Sequence, residues 1–153
     1  MTISAITEAR VRELLQNVKD PEVPAISVLE LGVVRAVEVK DDSVLVTITP
    51  TYTGCPAMDV MKQDIEKELH DAGIADVRVQ QVLSPAWTTD WITTEGKAKL
   101  KAYGIAPPEH TADIRALKGE LPVVECPLCG SQNTGMISLF GSTACKALWK
   151  CNA

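Results

Sequence analysis

Thr49-Pro50-Thr51-Tyr52-Thr53-Gly54-Cys55-Pro56 is the stretch on which the fold turns. On its N-terminal side, Val44 to Thr49 is rich in β-branched residues and predicts a strand that stops at Pro50. On its C-terminal side, Met58, Met61, Ile65 and Leu69 share one helical face, and Gly73 can close that helix as its C-terminal cap. The octapeptide is therefore the loop of a strand-loop-helix unit. Proline is favoured in the first turn of a helix, so Pro56 places Cys55 at or next to the N-cap. Unpaired N–H groups and the positive end of the helix dipole stabilise a thiolate there, which makes the sulfur a better ligand or nucleophile. Gly54 lets another molecule come close. The competing reading of Cys55 is a small buried hydrophobe, because free cysteines are among the most buried residues.

Upstream of this unit, Val11, Leu14, Leu15 and Val18 recur at helical spacing and predict an amphipathic helix from about Thr7 to Val18, ended by Asp20-Pro21. Pro24 keeps the connection extended and Gly32 punctuates it. Val33 to Val39 then forms a hairpin with Val44 to Thr49 across a four-residue loop, Lys40-Asp41-Asp42-Ser43. Downstream, Val77, Val79 and Gln81 start another strand. Ser84-Pro85-Ala86-Trp87 leads to a helix capped near Thr93 or Thr94 and ended at Gly104. The order is α-β-β-α-β-α, a small α/β (α+β) domain with a mixed sheet over residues 1–105. Residues 106–122 read as a linker, with Pro107-Pro108, Gly119, Pro122 and only a short helical hint at Ile114 and Leu117. Residues 123–153 are a cysteine-rich, zinc-ribbon-like tail, with strands through Met136 to Phe140 and Leu148 to Cys151.

Composition narrows the function classes. Hydrophobic residues make up 46% and charged residues 23% of the 153, as in an ordinary globular protein with a core. A formal net charge of -5 offers no basic face to phosphate backbones or anionic lipid, so neither nucleic acid nor membrane is an expected partner. The N-terminal residues lack a basic stretch followed by an apolar run, which predicts a cytoplasmic location. Five cysteines, four of them in the last 28 residues, then suit reduced thiols and metal ligation better than disulfides.

Cys126 and Cys129 are spaced C-x-x-C with Gly130 behind them, so one turn directs two thiolates at one tetrahedral metal. Cys151 is the natural third ligand. A second C-x-x-C would need a cysteine three positions beyond Cys151, past Ala153. Either the chain is cut short, or Cys145 completes the site at C-x5-C spacing, or the metal has an open position, or no metal binds. Zinc is the expected metal. Against the metal-free alternative, so short a segment has too little core to fold unaided.

Asp20-Pro21-Glu22-Val23-Pro24, then Leu31-Gly32, then the Thr51 to Pro56 loop resemble the D-P-E segment, L-G pair and T-x-x-x-C-P loop of the small iron-sulfur assembly factors that include SufT. The resemblance covers about residues 7 to 105. It implies an α/β fold in which Cys55 is the functional ligand for transient iron or an iron-sulfur cluster. By the same match Asp20 and Glu22 approach Cys55 and help to hold iron, while Thr51 hydrogen-bonds within the loop. Read from the residues alone, Asp20 and Glu22 are a helix-stop turn. Ser84 to Trp91 and Phe140 to Leu148 extend the likeness to the PaaD family of bacterial phenylacetate degradation. That resemblance implies service to the oxygenase or reductase component of a multicomponent phenylacetyl-CoA oxygenase (epoxidase). Proteins of that family continue past this C-terminus with another cysteine.

With three Trp, two Tyr and one Phe in the chain, Trp87 and Trp91 are either a core plug or a partner-docking anchor. The leading functional expectation is a maturation factor in which Cys55 holds its cargo transiently. A structural subunit that stays in the oxygenase complex is the second. Catalysis by Cys55 as a nucleophile, for instance on a thioester, is the third, and it lacks a supporting cast. His70 lies about 22 Å along the predicted helix from Cys55, and His110 falls in the linker. One ligand cannot hold a cluster, so a homodimer that donates one Cys55 from each chain follows as a corollary of the cluster reading.

Overall fold

Thr7 starts the first helix: its hydroxyl accepts the N–H of Arg10, and α1 runs Glu8–Leu15 with Val11, Leu14 and Leu15 buried. This computed structural model describes residues 5–52, 54–107, 123–138, 141 and 146–153. The helix ends three residues short of the expected Val18. Gln16, Asn17 and Val18 bond three residues back instead of four, a tightened last turn that turns the chain out. Lys19 then bridges Ser27, and Val28 N–H reaches Val18 O at 3.0 Å, closing residues 19–27 into a compact turn.

The hairpin joins β1, Val34–Lys40, to β2, Ser43–Ile48. Lys40 pairs with Ser43, so the connection is the two residues Asp41-Asp42, shorter than the four-residue loop expected. Asp41 takes φ 53°, a left-handed geometry that aspartate tolerates and that a tight hairpin turn requires. Pro56 is the N-cap of α2, Ala57–Asp71. Gly73, at φ 94°, closes this helix: its N–H reaches His70 O while Ile74 N–H reaches Leu69 O, a Schellman arrangement. β3, Asp76–Gln81, lies parallel to β2, giving the three-stranded mixed order β1-β2-β3.

Register sets the core. Val37 pairs with Val46 and Val39 with Val44, while Val44 and Val46 align with Val77 and Val79. These valines share one face of the sheet, against which α1 and α2 pack their own buried residues. The opposite face carries Glu38, Leu45 and Arg78 in register.

A short 3-10 turn, Thr89–Trp91, precedes α3, Thr94–Tyr103. Thr93 caps α3 by accepting the N–H of Gly96 at 3.0 Å. Glycine is needed at two contacts here. A Cβ on Gly32 would sit 2.5 Å from Trp91 O, and one on Gly96 would sit 2.9 Å from Glu30 O. Backbone therefore approaches backbone at both points, which seats Trp91 and α3 against the 26–32 segment. Glu30 reinforces the seat, receiving Lys99 Nζ at 2.5 Å and Ser27 N–H at 3.3 Å.

In the tail, β4, Thr134–Ser138, pairs antiparallel with β5, Leu148–Cys151. The helical hint at Ile114 and Leu117, together with His110, Phe140 and most of the expected linker, lies outside the described residues. Among the described residues, no helix is long and apolar enough to cross a membrane.

Candidate functional site

Cys126 begins a tight turn in which Gly130 N–H returns to Cys126 O at 2.9 Å and Cys126 N–H reaches Ser131 O at 2.9 Å. Gly130 takes φ 74°, which lets the chain reverse directly behind Cys129. The β4-β5 ladder pairs Thr134 with Cys151 and brings Cys151 back to this turn. As a result, the sulfurs of Cys126, Cys129 and Cys151 all lie within 4.8 Å of one another, with Cys129 and Cys151 3.6 Å apart. Among the described residues this is the one group of three or more metal-binding side chains. Cys145 lies outside the described residues.

Tetrahedral zinc with bonds of about 2.3 Å separates its sulfur ligands by roughly 3.8 Å, and the observed spacing is of that size. Backbone N–H groups of Cys129 and Leu128 hold the Cys126 thiol below its ordinary value. Cys151 is pushed the other way: the N–H of Ala153 favours its thiolate, but its contact with Cys129, its burial and the neighbouring Cys126 outweigh that. Adjacent thiols oppose one another's ionisation, and a bound dication relieves that opposition. The donor set thus fits a thiophilic divalent metal.

Cys55 sits just ahead of the α2 N-cap, as its flanking residues predict. Its N–H reaches Tyr52 O, and its carbonyl accepts the N–H of Met58, both at 3.3 Å. The residue is only 9% exposed and belongs to the main hydrophobic cluster, so the expectation of an open thiol meets a sulfur packed at the core's margin. Gly54 beside it is exposed at φ 78°, with open space where a Cβ would project. Thr51 is half-buried in the same loop, and Thr53 lies outside the described residues.

Asp20 is 7% exposed and serves the turn: its Oδ1 accepts the N–H of Glu22 at 2.7 Å and of Val23 at 3.1 Å. Burial nevertheless pushes its carboxyl above the ordinary aspartate value, against these two N–H groups. Asp20 lines a cleft of about 340 Å³ with Lys19, Asp64 and Glu68, and Cys55 is not among the lining residues. The structure does not gather Cys55, Asp20 and Glu22 into a three-ligand group. Trp87 is half-buried against the core and donates Nε1–H to Leu31 O at 2.9 Å. Trp91 is also half-buried, with the Arg35 guanidinium 3.4 Å from its ring centroid. His70 lies in the last turn of α2, its Nδ1 2.8 Å from Ile74 O.

Sequence reasoning passed over Lys146, whose Nζ donates to Glu22 O at 3.4 Å and links the tail to the Asp20 turn. Its neighbour Cys145 is the only local signal, and nothing in that dipeptide encodes a contact 124 positions away. Glu125 makes a second link, 3.1 Å from Lys101 Nζ at the end of α3.

A relative from Escherichia coli, named as a putative 1,2-phenylacetyl-CoA epoxidase subunit, is 41% identical over 92% of this chain and 83% of its own length. Residues 110–153 match the PaaD zinc beta ribbon domain, and residues 8–83 match the iron-sulfur cluster assembly protein family. The chain belongs to the PaaD family. The front part of this PaaD chain is also 32% identical to an Fe-S protein maturation auxiliary factor from Porphyromonas gingivalis, over 61% of this chain and 90% of that one. Among solved structures, a domain of unknown function from Bacillus anthracis superposes with a TM-score of 0.57 at 26% identity, covering 61% of this chain and 90% of its own. This PaaD chain thus joins an iron-sulfur assembly region to a ribbon region, and the ribbon bears a cysteine cluster that could bind metal.

Proposed function

We propose that this chain is a cytoplasmic maturation factor that delivers iron or an iron-sulfur cluster to the oxygenase or reductase component of a phenylacetyl-CoA epoxidase. The observation that carries this reading is the pair of relationships above: one relative named for an epoxidase spans nearly the whole chain, and a maturation factor matches its front part. In this reading Cys55 is the cargo ligand. Its place ahead of α2, beside the open side of Gly54, supports the role. Because Cys55 as a residue is only 9% exposed, transfer requires the Thr51 to Pro56 loop to swing outward. Asp20, Glu22 and Thr51 assist from the flanking turns, and a homodimer supplies a second Cys55 where the cargo is a cluster. Zinc held by Cys126, Cys129 and Cys151, with Cys145 as fourth ligand, folds the ribbon. The ribbon and the half-buried Trp87 and Trp91 dock the client.

Cys55→Ser tests the role. The variant should keep its helical circular dichroism, while the co-expressed oxygenase system accumulates without its metal. A fully metallated partner overturns the proposal. The burial of Cys55 favours a second reading, a non-catalytic subunit that stays in the complex. Co-purification at fixed stoichiometry through active epoxidase supports that reading, and substoichiometric, transient association supports delivery.

A further inference from the structure

The sulfurs of Cys126, Cys129 and Cys151 are close together but differ in access. Cys126 is 8% exposed and engaged by the backbone N–H groups of Leu128 and Cys129. Cys129 is exposed at the tip of the turn, and Cys151 is half-buried at the end of β5 with its sulfur 3.6 Å from that of Cys129. An oxidant from solvent therefore meets Cys129 first, and Cys151 stands beside it to resolve the product. We propose that Cys129 and Cys151 form a reversible disulfide in the presence of a hydroperoxide, withdrawing both thiolates from metal binding while Cys126 stays reduced.

The step balances with hydrogen peroxide as oxidant. The Cys129 thiolate attacks one peroxide oxygen, the O–O bond breaks, and a sulfenic acid forms with release of hydroxide. The Cys151 thiolate then attacks the Cys129 sulfur, the S–O bond breaks, and a second hydroxide leaves as the S–S bond forms. Two electrons pass from the thiolates to the peroxide, and the two protons released when the Cys129 and Cys151 thiols ionised convert the hydroxides to water. The sulfurs must close by about 1.6 Å to reach a disulfide bond of about 2.05 Å. The partners straddle the junction of the turn and the β4-β5 ladder, so a small shift of the exposed Cys129 turn supplies that movement with the ladder intact. The more familiar C-x-x-C closure, Cys126 to Cys129, would need the Cys126 sulfur to give up its two backbone donors. This inference is independent of the delivery role assigned to Cys55.

The full chain, loaded with zinc(II), is treated with hydrogen peroxide while zinc release is followed with a chromogenic chelator. The free thiols are then alkylated and the peptides mapped. Zinc should leave in step with a Cys129–Cys151 cross-link, with Cys126 recovered alkylated, and dithiothreitol with fresh zinc should restore the starting state. A Cys126–Cys129 link, a link through Cys145, over-oxidised Cys129 without any link, or no zinc release overturns the proposal. In Cys151→Ser the sulfenic acid on Cys129 should persist long enough for capture by dimedone. Should that variant fail to fold, the map of the unaltered protein decides alone.

Discussion

Asp20 carries two demands on one carboxylate. Its Oδ1 closes the turn by accepting two backbone N–H groups, yet its burial opposes the charge that the iron-holding proposal needs. The two demands separate by mutation. Asp20→Ala leaves both N–H groups without their acceptor and should cost about 2 kcal/mol in urea unfolding. Asp20→Asn keeps an oxygen acceptor and removes the buried charge, and at neutral pH it should match or exceed the parent's stability. Equal losses in both variants would mean that the charge itself holds the turn, through a neighbour such as Lys146. Cys55 shows a similar tension: its sequence position at a helix start was legible, but its 9% exposure was not. Exposure depends on what distant parts of the chain bring over the loop, and no local spacing encodes that.

At the scale of elements, α3 is held less by its own amphipathicity than by one ion pair and one close approach. Of its ten residues, only Gly96 and Leu100 are buried. Lys99 Nζ meets Glu30 across 69 positions of sequence, and that carboxylate is nearly buried. Burial raises the Glu30 carboxyl, but the Lys99 hydrogen bond, the Ser27 N–H and the charges of Lys99 and Lys19 together bring it below the ordinary glutamate value of 4.5. The folded state thus binds this proton more weakly than the unfolded chain does. The resulting stability is present above pH 4.5 and is lost as the pH falls through the lowered folded value. Lys99→Met should flatten that acid limb of a stability-against-pH curve and leave the slope above neutrality unchanged. An unaltered acid limb in this variant would show that the pair contributes nothing. The start and stop of α3 were readable from Thr93 and Gly104, because capping is local chemistry. The Lys99 pairing was not, because both partners look like ordinary surface charges in sequence.

At the scale of the whole molecule, the front domain and the ribbon stand on different physics. The front domain has a cluster of buried, mostly aliphatic residues drawn from three helices and two strands, with Val77 and Val79 of β3 packed against it. The described ribbon contributes Cys126 alone to the buried hydrophobic set, while Leu128, Ile137 and Leu148 face solvent. A strand pair with so little core depends on cross-linking. Stripping metal with a strong chelator should therefore abolish the ordered environment of Trp149 and leave the helical circular dichroism of α1, α2 and α3 nearly unchanged. Parallel loss of both signals on chelation would show that the front domain depends on the ribbon, through contacts such as Lys146 to Glu22 and Lys101 to Glu125.

By itself the sequence determined the element order, the caps near Thr93 and at Gly73, and the C-x-x-C turn, since each follows from interactions within a few residues. It also carried the family motifs. Only the tertiary structure decided that the hairpin turn has two residues, that Cys55 packs at the core's margin, and that Lys146 of the tail reaches Glu22. Those outcomes depend on strand register and on surfaces brought together from distant parts of the chain, where short-range periodicity holds no information.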